Sequence, residues 1–312
     1  MKYLGAILFL LCTSLQAQKW PMFNDPNFDD SIDEAAYDVN SGPLVLFDGA
    51  HHNFFIQSHL IKPLADVLLA DGYRVAFNDK PFSARVFKSA DVLVIITALP
   101  FDFTTQASAA ESTTFTDEEI EALKMWVNKG GALLVFSEHA PFDQAIQPLL
   151  NTFDITTSVG VTIDTLHYDT TFGNQGMIVF SGKSLEKKHP IISGKREVNQ
   201  LVSFGGSALK GKGFTNLLKL SQHAINVQHP TGVGPQGKGN SQALAGNFGK
   251  GKVVALGDSN GFTAMLFNLD EEHDMAAGMN TKGYDWKNFV LNTFDWLAND
   301  WIKSLKNSSI NL

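Results

Sequence analysis

Two short clusters of histidine and carboxylate could carry acid–base chemistry in this chain. His51 and His52 are adjacent, and Glu138 is followed directly by His139. A buried glutamate beside a histidine can act as a general acid–base pair, because burial raises the glutamate pKa and the neighbour tunes it. The same glutamate could instead stabilise the free N–H groups at a helix N-terminus. The sequence leaves both interpretations open.

Imidazoles combined with a carboxylate also suit a divalent metal of the zinc type. His51, His139 and Asp258 are the candidate ligands, with Asp48 as an alternative carboxylate. In the competing interpretation, His51 and His52 only hydrogen-bond the backbone of their own loop. The sequence therefore predicts no certain cofactor and keeps a divalent metal as one alternative.

Ser137 precedes Glu138 on the same turn and is a third candidate, as a nucleophile with a histidine as its base. The glycines that relieve crowding in a Gly-x-Ser-x-Gly turn are missing, since Ser137 lies between Phe136 and Glu138. The pattern therefore disfavours a serine hydrolase.

The N-terminal stretch is typical of a secretion signal. Cleavage of this signal would remove the cysteine that it contains. Lys2 precedes an apolar run over 4–11, and a small residue, Ala17, marks the predicted cleavage site. Cys12 is the only cysteine, so the mature chain would hold no disulfide, thiolate metal site or cysteine nucleophile. The alternatives are an uncleaved anchor and a lipoprotein attached through Cys12. We expect an exported protein, periplasmic or extracellular.

Alternating apolar and amphipathic segments must position these residues. Predicted strands cover 43–47, 73–77, 91–97, 132–136 and 251–256, and predicted helices cover 58–70, 117–129, 142–151 and 286–305. This alternation predicts an α/β fold with a doubly wound, mostly parallel sheet and helices on both faces. We assign 1–17 to the signal, 18–42 to an acidic leader and 43–305 to one domain.

Ligands of such sheets bind at the carboxyl ends of the strands. The predicted ligand-binding residues at these ends are Asp48, His51, His52, Asn53, Thr97, Asp258 and Ser259. The segment after 256 is interpreted as the turn that closes the last strand of the chain.

Composition excludes some partners. The formal net charge is −8 and no long Lys/Arg cluster is present, which argues against nucleic acid. The apolar run near the N-terminus is too short to span a bilayer, so no membrane span is predicted. A small molecule or a glycan is the expected partner, with an envelope protein as a further alternative.

Several segments in a fixed order carry a family resemblance. They include FDGAHHNFF, DVLVIITALP, FTDEEIEALKMWVNKGGALLVFSEHAPF, HPIISG and GKVVALGDSNGF. Together they resemble the class I glutamine-amidotransferase-like superfamily, and most closely its gliding-motility and intraflagellar-transport branch. Family members with amidotransferase activity hold a cysteine nucleophile on the turn that here contains Ser137, Glu138 and His139. The resemblance therefore implies the fold without thiolate chemistry, and His139 matches a histidine of the related sugar-utilisation group.

Two functions follow as hypotheses. The first is an exported ligand-binding domain without amidotransferase activity, for a carbohydrate or a cell-envelope component. Aromatic side chains that could stack on sugar rings support it: Phe54, Phe55, Phe101, Phe103 and Phe142. The alternative is a secreted hydrolase acting on a carbohydrate-type substrate through Glu138, His139 and the His51-His52 loop, with or without a metal.

Overall fold

The computed structural model describes residues 22–102, 114–227, 239–268 and 274–309, with side chains up to 299. The predicted signal, its Cys12 and Phe103 lie outside the described residues. No helix in the described ranges is both long and apolar enough to cross a bilayer.

The strands are β1 (Met22–Asn24), β2 (Leu44–Asp48), β3 (Arg74–Asn78), β4 (Val92–Ile95), β5 (Ala132–Phe136), β6 (Ile155–Thr157), β7 (Val161–Asp164), β8 (Val179–Ser181), β9 (Gln200–Val202), β10 (Leu209–Gly211), β11 (Thr215–Lys219), β12 (Ala224–Val227), β13 (Ser241–Phe248), β14 (Gly251–Leu256), β15 (Ala264–Asn268) and β16 (Asp274–Gly278). The helices are α1 (Phe54–Gln57), α2 (Lys62–Ala70), α3 (Asp117–Asn128), α4 (Phe142–Asn151), α5 (Pro190–Ser193) and α6 (Trp286–Ser309). Short 3₁₀ turns cover Val86–Lys88, Gly182–Ser184 and Asn260–Phe262.

The central sheet has the strand order β3-β2-β4-β5-β14-β13-β10-β6, with β11 also paired to β13. The five strands from β3 to β14 run parallel, whereas β13, β10 and β6 continue the sheet antiparallel. The chain moves outward from β2 to β3 and then returns to β4 on the other side of β2. The strand order therefore reverses between β2 and β4, where an open sheet forms a crevice. The predicted α/β fold class is confirmed.

Each face of the sheet has its own apolar core. Side chains alternate along β2, so that Val45 and Phe47 enter one core while Leu46 enters the other. The first core contains buried residues of α2, α6 and the start of α4, and the second contains those of α3 and the rest of α4. Strands covered on both faces explain the continuous apolar runs in the sequence.

Two further strands follow residue 256. β15 and β16 follow β14 and form a separate three-stranded sheet with β1 in the order β1-β15-β16. The interpretation of the segment after 256 as the end of the last strand was therefore wrong. A five-residue strand with mixed burial is too short to give a clear period, so pairing with the distant β1 decides its structure.

The acidic leader packs along the domain mainly through its backbone. Lys287 donates through Nζ to the carbonyl oxygens of Asp29 and Ser31, at 2.8 Å each. The N–H of Ala36 donates to the carboxylate of Asp71 at 2.8 Å. These contacts are made by the leader's backbone carbonyl and N–H groups, and one acidic side chain adds to them, since Asp25 accepts from the side-chain amide of Asn280 at 3.0 Å.

Candidate functional site

Backbone strain collects at the carboxyl ends of three neighbouring strands. His52 after β2, Thr97 after β4 and Glu138 after β5 have φ values of +43°, +55° and +51°. This left-handed region costs a non-glycine residue about 1–2 kcal/mol, and a β-branched threonine is a clear outlier there. Strain of this kind persists where surrounding contacts impose it, and it clusters at functional sites.

The first group of polar residues at this edge joins the ends of β2 and β4, and we call it the switch-point cluster. It comprises Asp48, His51, Asn53, Thr97 and Glu119. His51 is its centre: Nδ1 lies 2.8 Å from Asp48 Oδ1, and Nε2 lies 2.9 Å from Glu119 Oε1. The imidazole is 8% exposed and lies within 4.6 Å, centroid to centroid, of the rings of Phe82 and Phe115.

Both carboxylates on His51 accept rather than donate, so the ring is held as an imidazolium. Burial alone lowers the pKa of His51, but the hydrogen bonds and charges of Asp48 and Glu119 outweigh it and raise that pKa above its ordinary value. With both nitrogens donating, His51 has no lone pair for a metal.

Asn53 and Thr97 connect the two strand ends at the crevice. Asn53 donates to Asp48 Oδ2 at 2.9 Å and accepts the N–H of Ile96 at the same distance. Thr97 Oγ1 accepts the N–H of Phe55 at 3.1 Å. Both side chains are buried, so these predicted ligand-binding residues shape the loops from within.

The second group, the elbow cluster, lies at the ends of β5 and β14. It comprises Glu138, His139, Asp143, Asp258 and Ser259. Glu138 is 2% exposed, and its Oε2 accepts both the N–H (2.6 Å) and the hydroxyl of Ser259. Its Oε1 accepts the N–H of His139 at 3.2 Å. Glu138 therefore ties the β5 turn to the β14 turn.

Asp258, at the end of β14, is likewise an internal acceptor. Its Oδ2 accepts the hydroxyl of Ser203 at 2.9 Å and the N–H of Phe204, and its Oδ1 accepts the N–H and the side-chain amide of Asn260 at 2.9 and 3.0 Å. Burial, with the charge of Glu138 adding to it, raises the pKa of Asp258 to about 6.

Asp143, in the first turn of α4, is a member that the sequence analysis missed. It is buried, and it accepts the N–H of Gln144 at 2.7 Å and that of Gly160 at 3.0 Å. Burial raises the pKa of Asp143 to about 6. A carboxylate five residues after an elbow glutamate was a visible signal, but helix first turns hold acidic residues for ordinary reasons.

His139 and His52 are the imidazoles that reach solvent at this edge. His139 donates through Nδ1 to the carbonyl of Ala140 at 2.7 Å, and its side chain is 30% exposed. Its Nε2 lies 3.8 Å from Glu138 Oε1, which is longer than a hydrogen bond. His52 is exposed and lies beside the amide of Gln57.

Three aromatic side chains that were expected to stack on a sugar lie in the core instead. Phe54, Phe55 and Phe142 are each at most 5% exposed. Phe101 is partly buried and packs against the same core. Apolar burial outweighs their position at the strand ends, so the expectation that Phe54, Phe55 and Phe142 stack on a sugar was wrong.

The predicted metal ligands do not assemble in the described residues. His51 uses both nitrogens on carboxylates, and Asp258 uses both oxygens on protein donors. No group of three His, Cys, Asp or Glu side chains in those residues could hold a metal ion. Ser137 is also buried, and its hydroxyl lies 2.8 Å from that of Ser207 and not beside a histidine base.

The strain at Thr97 gives a direct prediction. Thr97→Gly and Thr97→Ala both remove the acceptor for Phe55, but only glycine relieves the left-handed backbone. We expect the glycine variant to be more stable than the alanine variant by about 0.5–1 kcal/mol in urea unfolding. The exposed Thr215 in β11 is the control, where alanine should be the more stable. If the alanine variant were the more stable one at both positions, strain at Thr97 would be contradicted.

Comparison with known proteins places the fold. No protein-family model and no curated protein matches the chain. Among solved structures, the mmIFT52 N-terminal domain is 16% identical with a TM-score of 0.57, over 81% of this chain and 97% of that one. A ThuA-like protein from Parabacteroides merdae is 13% identical with a TM-score of 0.44, over 83% and 90%.

A GMP synthase protein from Thermoplasma acidophilum is 8% identical with a TM-score of 0.39, over 85% of this chain and 98% of that one. At these identities the comparisons bear on the fold alone, and the mmIFT52 domain carries that conclusion. Membership of the gliding-motility branch stays a prediction. The chain is structurally similar to the mmIFT52 N-terminal domain, and at 16% identity this similarity shows the fold alone.

Proposed function

We propose that this protein is an exported ligand-binding domain of amidotransferase-like fold, without amidotransferase activity, whose ligand is a glycan or another hydroxyl-rich component of the cell envelope. One observation carries the proposal: Glu138, the predicted catalytic carboxylate, is buried and its oxygens accept three donors of the protein itself. A general acid or base must exchange its proton with the substrate. Glu138 instead holds the loop that presents His139.

The charges at the edge favour a neutral ligand. Glu138, Asp143 and Asp258 place buried carboxylates behind His139, and they would repel an anion. His139 and His52 supply imidazole groups near the surface, which can donate to or accept from hydroxyls. A polyol such as a sugar fits this combination.

The test is a screen of the purified full chain against an array of bacterial cell-wall glycans, followed by calorimetry with each hit. We expect His139→Ala to weaken binding at least tenfold, whereas Glu138→Gln changes affinity only a few-fold. His223→Gln, far from the elbow in the sequence, is the control. Equal affinity in wild type and His139→Ala would remove the elbow as the binding site.

One observation favours the hydrolase as a second candidate. Burial raises the pKa of Asp143 to about 6, within the range where a carboxyl can exchange protons near neutral pH. A panel of nitrophenyl glycosides measures turnover directly. If the hydrolase hypothesis holds, Asp143→Asn and Glu138→Gln each abolish turnover but not folding. Turnover that survives Glu138→Gln would contradict the acid–base role of Glu138.

A further inference from the structure

One edge of the central sheet has open backbone groups in the described residues. β3 is the outermost strand there, and it pairs with β2 on its inner side. The N–H of Arg74 and the carbonyl of Asn78 bond to residues that flank β2, at 3.0 and 2.8 Å. Alternate residues of a strand direct these groups to opposite sides, so Val75 and Phe77 direct theirs away from β2. Each of the two offers one donor and one acceptor.

The opposite edge of the sheet shows how this chain closes a strand. β6 is the outermost strand on that side. The side chain of Gln147 in α4 donates to the carbonyl of Ile155 at 3.1 Å and accepts the N–H of Thr157 at 2.8 Å. Within the described residues, no hydrogen bond from outside the β2–β3 ladder reaches Val75 or Phe77. The edge at β3 therefore lacks the closure that the edge at β6 has.

The charge on β3 does not protect this edge either. Natural edge strands often carry a charged side chain, a proline or a bulge that prevents pairing with another chain. Arg74 is the charged residue of β3, and its Nε donates inward to the carbonyl of Gly42 at 3.0 Å. A terminal nitrogen of Arg74 lies 3.7 Å from the carboxylate of Asp91, just before β4 on the far side of β2. The strand holds no proline, and its register with β2 is continuous.

The side chains along the open groups are apolar. Phe77 is 52% exposed, and its ring stacks on the buried ring of Phe47 at 5.3 Å, centroid to centroid. Val75 is partly buried and packs against the same core as Phe47. Phe77 is thus the outermost ring of a row that begins in the first core. An exposed aromatic beside open strand groups is typical of a surface that pairs with another strand.

A second copy of β3 satisfies this edge in one register. Two copies that run antiparallel about a twofold axis at Ala76 place Val75 opposite Phe77 of the partner subunit, and Phe77 opposite Val75 of the partner subunit. These are the residues whose N–H and carbonyl groups point outward, so each facing pair can exchange both hydrogen bonds. The same register places a β-branched side chain against each exposed aromatic ring, which is a favourable cross-strand pair.

We propose that this protein forms a homodimer in which β3 pairs antiparallel with β3 of a second copy, so that the central sheet continues from one subunit into the other. The strand is self-complementary in both its hydrogen bonds and its side chains, and this favours a second copy over a different protein. Contact through one short strand buries little area, so we expect a dimer of micromolar affinity. The proposal does not depend on the function proposed for the strand-end site.

Sedimentation equilibrium of the purified full chain tests the dimer. We expect a monomer–dimer equilibrium in the micromolar range, and Phe77→Lys should weaken it by about tenfold or more, because lysine on an edge strand opposes pairing. Phe23→Lys changes an aromatic of similar exposure, 43%, on β1 and should dimerise as wild type does. A chain that stays monomeric throughout the micromolar range would overturn the proposal, as would a dimer that Phe77→Lys leaves unchanged.

A cysteine at the proposed axis tests the register. The backbone groups of Ala76 face β2, so the two Ala76 residues would form a non-hydrogen-bonded pair with Cα atoms about 4.5 Å apart. Disulfides join Cα atoms about 4.4–6.8 Å apart. In a chain that carries Cys12→Ser, we expect Ala76→Cys to form a covalent dimer on mild oxidation, visible on a non-reducing gel. Thr156→Cys, on the closed edge at β6, is the matched control and should stay monomeric. Equal cross-linking of the two variants, or none in Ala76→Cys, would overturn the pairing about Ala76.

Discussion

Asp258→Ala is expected to lower the free energy of unfolding by about 3 kcal/mol. The carboxylate of Asp258 accepts four hydrogen bonds, and all of them come from the buried residues Ser203, Phe204 and Asn260. Each donor left buried without a partner costs about 1–3 kcal/mol. Removal of Asp258 also relieves its repulsion with Glu138, and this relief offsets some of the loss.

Urea unfolding followed by circular dichroism measures this effect. Asp274→Ala, which removes an exposed carboxylate, should change stability by less than about 0.5 kcal/mol. Asp258→Asn should lie between wild type and Asp258→Ala, because its amide accepts on one side only while both sides present donors. A loss below about 1 kcal/mol in Asp258→Ala would show that the loops hold together without this carboxylate.

His51→Ala is expected to destabilise the protein by about 3–5 kcal/mol at pH 6. The substitution leaves the carboxylates of Asp48 and Glu119 in the switch-point cluster without their shared imidazolium, and breaking a buried ion pair from one side has this cost. His52→Ala, the adjacent and exposed histidine, is the matched control and should have little effect.

The pH dependence of the same variant separates charge from packing. The folded protein raises the pKa of His51, so the stabilisation is complete below the unfolded value near 6.5 and is lost as pH rises through the folded pKa. Wild-type stability should therefore fall as the pH rises above about 6.5, and His51→Ala should lack this component. An identical slope in wild type and His51→Ala would show that His51 is neutral in the folded protein.

Asp143 and Asp258 also make the folded state less stable as the pH rises, but over a lower pH range than His51. Their folded pKa values of about 6 exceed the ordinary value of 3.8, so the folded state binds these protons more tightly. Their contribution is greatest below pH 3.8 and falls as pH rises through 6. Burial is the largest cause of both pKa shifts, and the repulsion from Glu138 adds to each.

The sequence predicted the limits of a strand or helix accurately where the whole residue pattern lies within one short segment. The limits of β5 and α4 agree with the predicted ranges, because a run of apolar residues and an amphipathic period are complete within about ten residues. Thr116 and Glu119 have the three-residue spacing of a capping box, and both hydrogen bonds of that motif are present.

Glu119 shows where such signals stop. Besides its capping bonds, it accepts from His51, which is 68 residues away, and from the N–H of Phe82, 37 residues away. Nothing in the spacing of the capping box indicates these partners. A residue can satisfy a local pattern and a distant partner at once, and only the packing of α3 against the sheet reveals the second.

The sequence by itself determined which polar residues stand at the strand ends, since parallel strands bring their carboxyl ends to one edge whatever their separation in the chain. Only the tertiary structure decided what each residue does there. Glu138 and Asp258 became internal acceptors because Ser259, Ser203 and Asn260 lie within hydrogen-bond distance, whereas His139 kept an exposed face. Burial and partner choice depend on contacts between distant segments, and no local pattern encodes them.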